Sequence, residues 1–139
     1  MDFKYYLPAV VTLLVSIVTI YINIMLTKKN KGTEWLKELR THFACFIGSL
    51  TIHNKFELVK NKTAVVILLN ENNKEQKLLL TMVNEISELI IHYVQNINQY
   101  TAKRIDETTD KFNLLLNEIV VQFKVVCKIE QAKIDSIFK

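Results

Sequence analysis

From Tyr5 to Thr27 the chain carries no charged side chain, and Lys28, Lys29 and Lys31 follow at once. This run constrains everything else. As an α-helix rising ~1.5 Å per residue, its roughly 23 residues reach about 34 Å, enough to cross a hydrocarbon core of ~30 Å with slight tilt. Leu, Val and Ile dominate it, and Tyr5, Tyr6 and Tyr21 suit interfacial depths. A cleaved signal peptide needs a basic start, a shorter apolar stretch and a small-x-small cleavage site. Here Asp2 accompanies Lys4 at the start, and Thr27-Lys28-Lys29 offers no such site. The expectation is an uncleaved anchor: residues 1–4 a short flank, 5–27 a transmembrane helix, 28–32 a basic juxtamembrane link, and 33–139 a cytoplasmic domain.

The flanks set orientation. Three lysines follow the span against Lys4 before it, so the positive-inside rule puts the N-terminus outside and the larger part in the cytoplasm, at a bacterial inner membrane. Lys28, Lys29 and Lys31 either set topology alone or also hold anionic headgroups, and Trp35 lies where an indole can sit at the headgroup boundary. Membrane lipid is thus the first expected partner.

Ala9, Thr12, Ser16, Thr19 and Asn23 are spaced three and four residues apart, a heptad seam that collects nearly every small or polar side chain of the span. Lipid supplies no hydrophobic reason for helices to associate, so close packing and interhelical hydrogen bonds must do it. Two readings stand. Either the seam packs on a second copy or on another protein's membrane helix, or its hydroxyls bond back to their own backbone and face nothing.

Composition bounds the remainder. Gly32, Gly48 and Pro8 are the only glycines and proline. Sandwiches and barrels need turn residues, so this scarcity points to an all-α fold. Residues 1–32 hold four lysines and Asp2; residues 33–139 hold 14 basic and 13 acidic groups, which leaves +1 of the total +4 there. With no basic stripe and no interleaved aromatics, nucleic acid is not an expected partner.

Apolar periodicity outlines the helices. Thr33 is placed to cap a helix with Leu36, Leu39, Phe43, Phe46, Ile47 and Leu50 on one face. Residues 51–62 are mixed and admit a bend. Residues 63–70 (TAVVILLN) read as a buried helical turn, with a lone buried strand as the alternative. Asn72 with Glu75, or Asn73 with Gln76, forms a capping box. Leu79, Met82, Val83, Ile86, Leu89, Ile90, Tyr93, Val94 and Ile97 then share a helical face. Residues 98–111 are polar and read as a turn. Phe112, Leu115, Leu116, Ile119, Val120, Phe123, Val126 and Cys127 mark the last helix, with Ile134, Ile137 and Phe138 at its end. The expected assembly is an antiparallel bundle of three or four helices. Four helices return the C-terminus, including Lys139, to the headgroups; three point it away.

Chemistry is sparse. Cys45 and Cys127 read as small buried apolar groups in a reducing cytoplasm. His42 and Cys45 have helical spacing, and His92 with Cys127 would complete four ligands, but no paired motif supports zinc. His53 reads as solvated. Glu85 with Glu88, and Asp106, Glu107 and Asp110, read as solvated faces, and no glycine-rich phosphate loop exists. No cofactor, no small-molecule substrate and no enzymatic activity are expected.

Trp35-x-x-x-Leu39-Arg40, Ile67-Leu68-Leu69-Asn70 and Cys127-Lys128-Ile129-Glu130-Gln131-Ala132-Lys133 together resemble a loose group of small bacterial and prophage single-span membrane proteins with a cytoplasmic helical domain. The chain departs from that pattern with Gln131 in place of an aromatic and Glu71 in place of a proline. The resemblance implies architecture first, and by analogy a place in phage–host conflict such as superinfection exclusion or abortive infection. It also suggests an ion pair between Arg40 and Glu130, since in a four-helix arrangement both lie in the membrane-proximal half and a guanidinium suits a partly buried carboxylate. A membrane-anchored interaction module is the leading expectation. The alternative is an oligomeric pore-forming effector of holin or toxin type, lined by the seam.

Overall fold

A computed structural model describes residues 3–51 and 54–138, with side chains from residue 12 onward. The described chain is helical, without a strand. Helix α1 runs unbroken over Phe3–Ser49, 47 residues or about 70 Å at ~1.5 Å each. It is followed by α2 (Lys55–Leu68), α3 (Lys74–Asn96) and α4 (Ala102–Asp135), with short 3-10 turns at Ile97–Gln99 and Ser136–Phe138. No separate link exists at residues 28–32. Thr33 does not cap a helix; it is an interior residue whose Oγ1 donates to the Lys29 carbonyl at 2.9 Å. The lysines and Gly32 tempted a break, but the lysines are good helix formers and a lone glycine costs only ~1 kcal/mol.

The other boundaries follow from capping chemistry. Asn54 Oδ1 accepts from the Phe56 and Glu57 amides at the start of α2, Asn73 Oδ1 from Glu75 and Gln76 at the start of α3, and Thr101 Oγ1 from Arg104 at the start of α4. Of the two capping-box readings, Asn73 is the cap, but the box is half formed. The Gln76 Oε1 accepts from the Asn70 amide at 2.8 Å, and the Asn73 amide donates instead to the Asn70 carbonyl. The β-branched run at 63–70 is helical as far as Leu68. The polar stretch from 98 to 111 holds a shorter turn than its composition suggests, and α4 begins at Ala102.

Beyond the apolar stretch, the second half of α1 joins α2, α3 and α4 in a four-membered ring. Each helix packs on its chain neighbours, α4 closes on α1, and the backbones of the diagonal pairs stay apart. The up-down-up-down course returns the C-terminus to the level of Lys29. Leu39, Phe46, Val65, Leu79, Val83, Ile86 and Ile119 are fully buried at the centre. Phe43 stacks on Phe123 with ring centroids 3.8 Å apart. A second cluster of Leu36, Cys127 and Ile134 extends the core toward the apolar half of α1. Among the described residues no buried side-chain nitrogen or oxygen lacks a partner, as a stable interior requires.

Candidate functional site on the first helix

Helix α1 belongs to two environments. From Thr12 to Ile24 every side chain is exposed, including Leu13, Leu14, Val15, Ile17, Val18 and Ile20. A helix apolar on all sides and packed on nothing cannot be a soluble core element. Among the described residues this is the one helix long and apolar enough to cross a membrane.

The sequence seam lies on this stretch, and its hydroxyls point inward along the helix. Ser16 Oγ donates to the Thr12 carbonyl at 2.9 Å and Thr19 Oγ1 to Val15 at 2.8 Å. Their protons are therefore committed, although each oxygen can still accept. Asn23 borders a shallow surface depression with Ile20, Ile24, Thr27, Lys28 and Lys31. The side chain of Ala9 lies outside those described.

At the junction α4 comes back along α1 in one antiparallel register. Lys29 Nζ sits 5.4 Å from the Phe138 ring centroid, and Gly32 faces Ile134. Arg40 reaches the Cys127 thiol and Phe43 meets Phe123. A Cβ at Gly32 would lie 3.0 Å from Ile134 Cγ1, so the glycine permits the close approach. Ile134 is buried against Leu36 and Cys127 at this end, and Ile137 is half-buried. Lys139 lies outside the described residues.

The expected Arg40–Glu130 pair is not among the ion pairs of the described residues. Opposite Arg40 stands Cys127, one turn short of Glu130. Glu130 Oε1 instead accepts from Lys133 Nζ at 2.7 Å and from Gln76 Nε2 at 3.2 Å. Burial pushes the Cys127 thiol above its usual 9.0, and the Arg40 guanidinium opposes the shift by hydrogen bonding and by charge. The second buried amide, Gln122, donates to the carbonyl and the carboxylate of Glu75 at 3.0 and 2.9 Å. These amides fasten α4 to the start of α3.

Trp35 is not laid out toward headgroups. It packs against both core clusters, and its Nε1 donates to the Leu68 carbonyl at 2.9 Å. Leu68 is the last residue of α2, where helix carbonyls lack internal partners, so the indole acts as a C-cap supplied by a neighbouring helix. Lys28 and Lys31 are exposed, and Lys29 is half-buried beside Phe138.

Several other side chains depart from expectation. Cys45 is exposed, not buried. His92 Nδ1 lies 2.9 Å from the Tyr100 hydroxyl at the far end of the bundle. No group of three or more His, Cys, Asp or Glu side chains able to hold a metal occurs among the described residues. His53 lies outside them. Sequence reasoning also missed two exposed apolar stripes: Phe56, Val59 and Ile67 on α2, and Leu114, Val121 and Val125 on α4. Their signal was available, because all six fall off the buried helical period of their own segments.

One azimuthal relation ties the two halves of α1 together. Counted at about 100° per residue, Thr12, Ser16, Thr19 and Asn23 centre about 180° from the stripe of Leu36, Leu39, Phe43 and Phe46. The burial pattern agrees: Met25, Lys29 and Gly32 are half-buried, whereas Thr27, Asn30 and Glu34 are exposed. The seam thus continues down the outer side of α1, away from the bundle, through Glu34, Lys37, Glu38, Thr41 and Cys45.

Comparison with family models, with curated proteins and with solved structures found no match. What the fold itself defines is an all-α protein: a four-helix assembly whose first helix continues into a long, unpacked apolar rod.

Proposed function

We propose that this protein is a membrane-anchored interaction module without enzymatic activity. Residues 5–27 cross a bacterial inner membrane once, with the N-terminus outside, and hold the bundle against the cytoplasmic face. There it associates through α1 with a second copy or with another membrane protein. The observation that carries the reading is the full exposure of Leu13 through Ile24 on all sides of α1, in a chain whose other helices bury a stripe. Support for orientation comes from Lys28, Lys29 and Lys31 after the span. Placement in phage–host conflict rests on the resemblance to prophage membrane proteins alone.

The test is fractionation of cells expressing the full chain. The protein is expected to stay with membranes through alkaline carbonate washing. Protease added to inverted vesicles should digest the bundle, and protease added to spheroplasts should leave it intact. Full-length protein recovered in an aqueous extract without detergent would overturn the anchor. Digestion in spheroplasts would overturn the orientation. Rapid loss of membrane potential on induction, abolished by leucine at Ser16 and Asn23, would replace the module with a pore.

A further inference from the structure

We infer that the outer face of α1 beyond the bilayer docks a second copy of this chain in parallel, with Lys37 of each copy set between Glu34 and Glu38 of the other. The inference rests on the membrane reading above, because a shared bilayer and a shared orientation force two copies to lie parallel, related by a two-fold axis along the membrane normal.

The charges carry it. Glu34, Lys37, Glu38 and Thr41 are exposed and border one shallow outward groove with His42. The ion pairs among the described residues are Glu57–Lys60, Lys103–Glu107 and Glu130–Lys133, so Glu34, Lys37 and Glu38 join none of them. Glu34 and Glu38 are like charges four residues apart on one helix, an arrangement that destabilises an isolated helix. A cation delivered from outside the chain relieves it.

Symmetry says where that cation comes from. With the seam as centre, Lys37 falls about 30° to one side, and Glu34 and Glu38 fall about 30° and 70° to the other, at about 100° per residue. Across a parallel two-fold axis, a residue displaced to one side meets the residue displaced to the opposite side on the partner. Lys37 therefore faces the Glu34 and Glu38 side of the partner twice per pair, with Glu38 at nearly the same height and Glu34 one turn away. The face is complementary to itself, as an isologous contact must be.

Depth argues against lipid as the occupant. Lys37 lies about 15 Å past Thr27, at ~1.5 Å per residue, whereas a headgroup layer is only about 5–8 Å deep. Continuity adds the last element. Because α1 is unbroken from Phe3 to Ser49, pairing along Thr12, Ser16, Thr19 and Asn23 carries the cytoplasmic face into the same contact. A Cβ at Gly48 would meet nothing within 4 Å, so the far end of the face is also open to a partner.

Cys45 supplies a native reporter, since it is exposed near the seam while Cys127 is buried. With helix axes ~8–10 Å apart, the two Cys45 residues of a pair come within reach of a short bis-maleimide. In native membranes the full chain should give a crosslinked dimer, lost in Cys45→Ser. Lys37→Glu and Glu38→Lys should each lower the yield about fivefold, the scale of turning two exposed pairs into repulsions. The double variant, Lys37→Glu with Glu38→Lys, should recover most of it. Wild-type yields in both single variants, or a double variant no better than either single, would overturn the docking face. Carbonate washing of the same membranes separates the two levels. Protein that stays embedded but crosslinks without regard to charge sinks this inference alone, whereas protein released by the wash sinks the anchor and the inference together.

Discussion

The two halves of α1 share one backbone, and one is packed while the other is not. From Thr12 to Ile24 apolar side chains surround the helix and none packs on the protein. From Glu34 to Ser49 the buried apolar residues Leu36, Leu39, Phe43 and Phe46 fall on one stripe, and Glu34, Lys37, Glu38 and Thr41 take the other side. Helical propensity does not separate them, since both halves are continuous helix. What separates them is the surroundings each needs: the first half requires an apolar environment on all sides, the second requires three other helices on one side.

The sharpest way to break that contrast is to truncate one apolar residue in each half. Phe46→Ala removes a fully buried ring from the bundle core and should cost about 3–5 kcal/mol. Ile20, 59% exposed, should cost less than about 0.5 kcal/mol as Ile20→Ala. Urea unfolding of the detergent-solubilised full chain, followed by Trp35 fluorescence, measures both. Comparable losses would mean that the apolar half of α1 packs on the protein after all.

A smaller effect probes the point where the halves meet. Trp35→Phe keeps most of the packing but removes the indole donor, leaving the Leu68 carbonyl at the end of α2 without its 2.9 Å partner. The expected loss is about 1 kcal/mol, and faster amide exchange should appear in the last turn of α2 rather than at its start. A uniform change along α2 would show that the indole contributes bulk and not a cap. In that case the junction would tolerate a headgroup role for Trp35.

These particulars show where sequence was informative. The apolar run, the buried stripes of α1, α3 and α4, and the asparagine cap of α3 follow from charge, period and capping chemistry, all local signals. Periodicity alone admits three or four helices, and the register that sets Ile134 against Gly32 belongs to four. The absence of Arg40–Glu130 from the ion pairs of the described residues has the same origin. Periodicity says which face of a helix is buried, but a shift of one turn between two helices leaves both patterns intact. Only contacts such as Phe43 on Phe123 fix it. The cap that Trp35 supplies to α2 is not legible in sequence, where an indole beside a bilayer and an indole capping a neighbouring helix look alike. Residues 28–32 are continuous helix because lysines do not interrupt one. On the outer face of α1, the charges were visible but their shared azimuth with the span seam was not, since it depends on α1 having no break.

The smallest expected effect concerns the one thiol buried at the junction. Burial raises Cys127 above the ordinary thiol value of 9.0, against the opposing pull of Arg40. The sign follows from proton counting. Below 9.0 the thiol is protonated in both folded and unfolded chains and contributes nothing that depends on pH. As pH rises past that value the unfolded thiol ionises first. The folded state then holds more protons, so stability falls until the raised folded value is passed. In a Cys45→Ser background, the chain should therefore lose more stability on going from neutral to alkaline pH than the same chain carrying Cys127→Ala, whose curve lacks this contribution. Adding Arg40→Ala to the Cys127 form should steepen the loss, because burial then acts unopposed. Superimposable pH curves with and without the Cys127→Ala substitution would place the thiol in water. The second core cluster of Leu36, Cys127 and Ile134 would then be open at the membrane end, and the bundle would be held to α1 by its distal core alone.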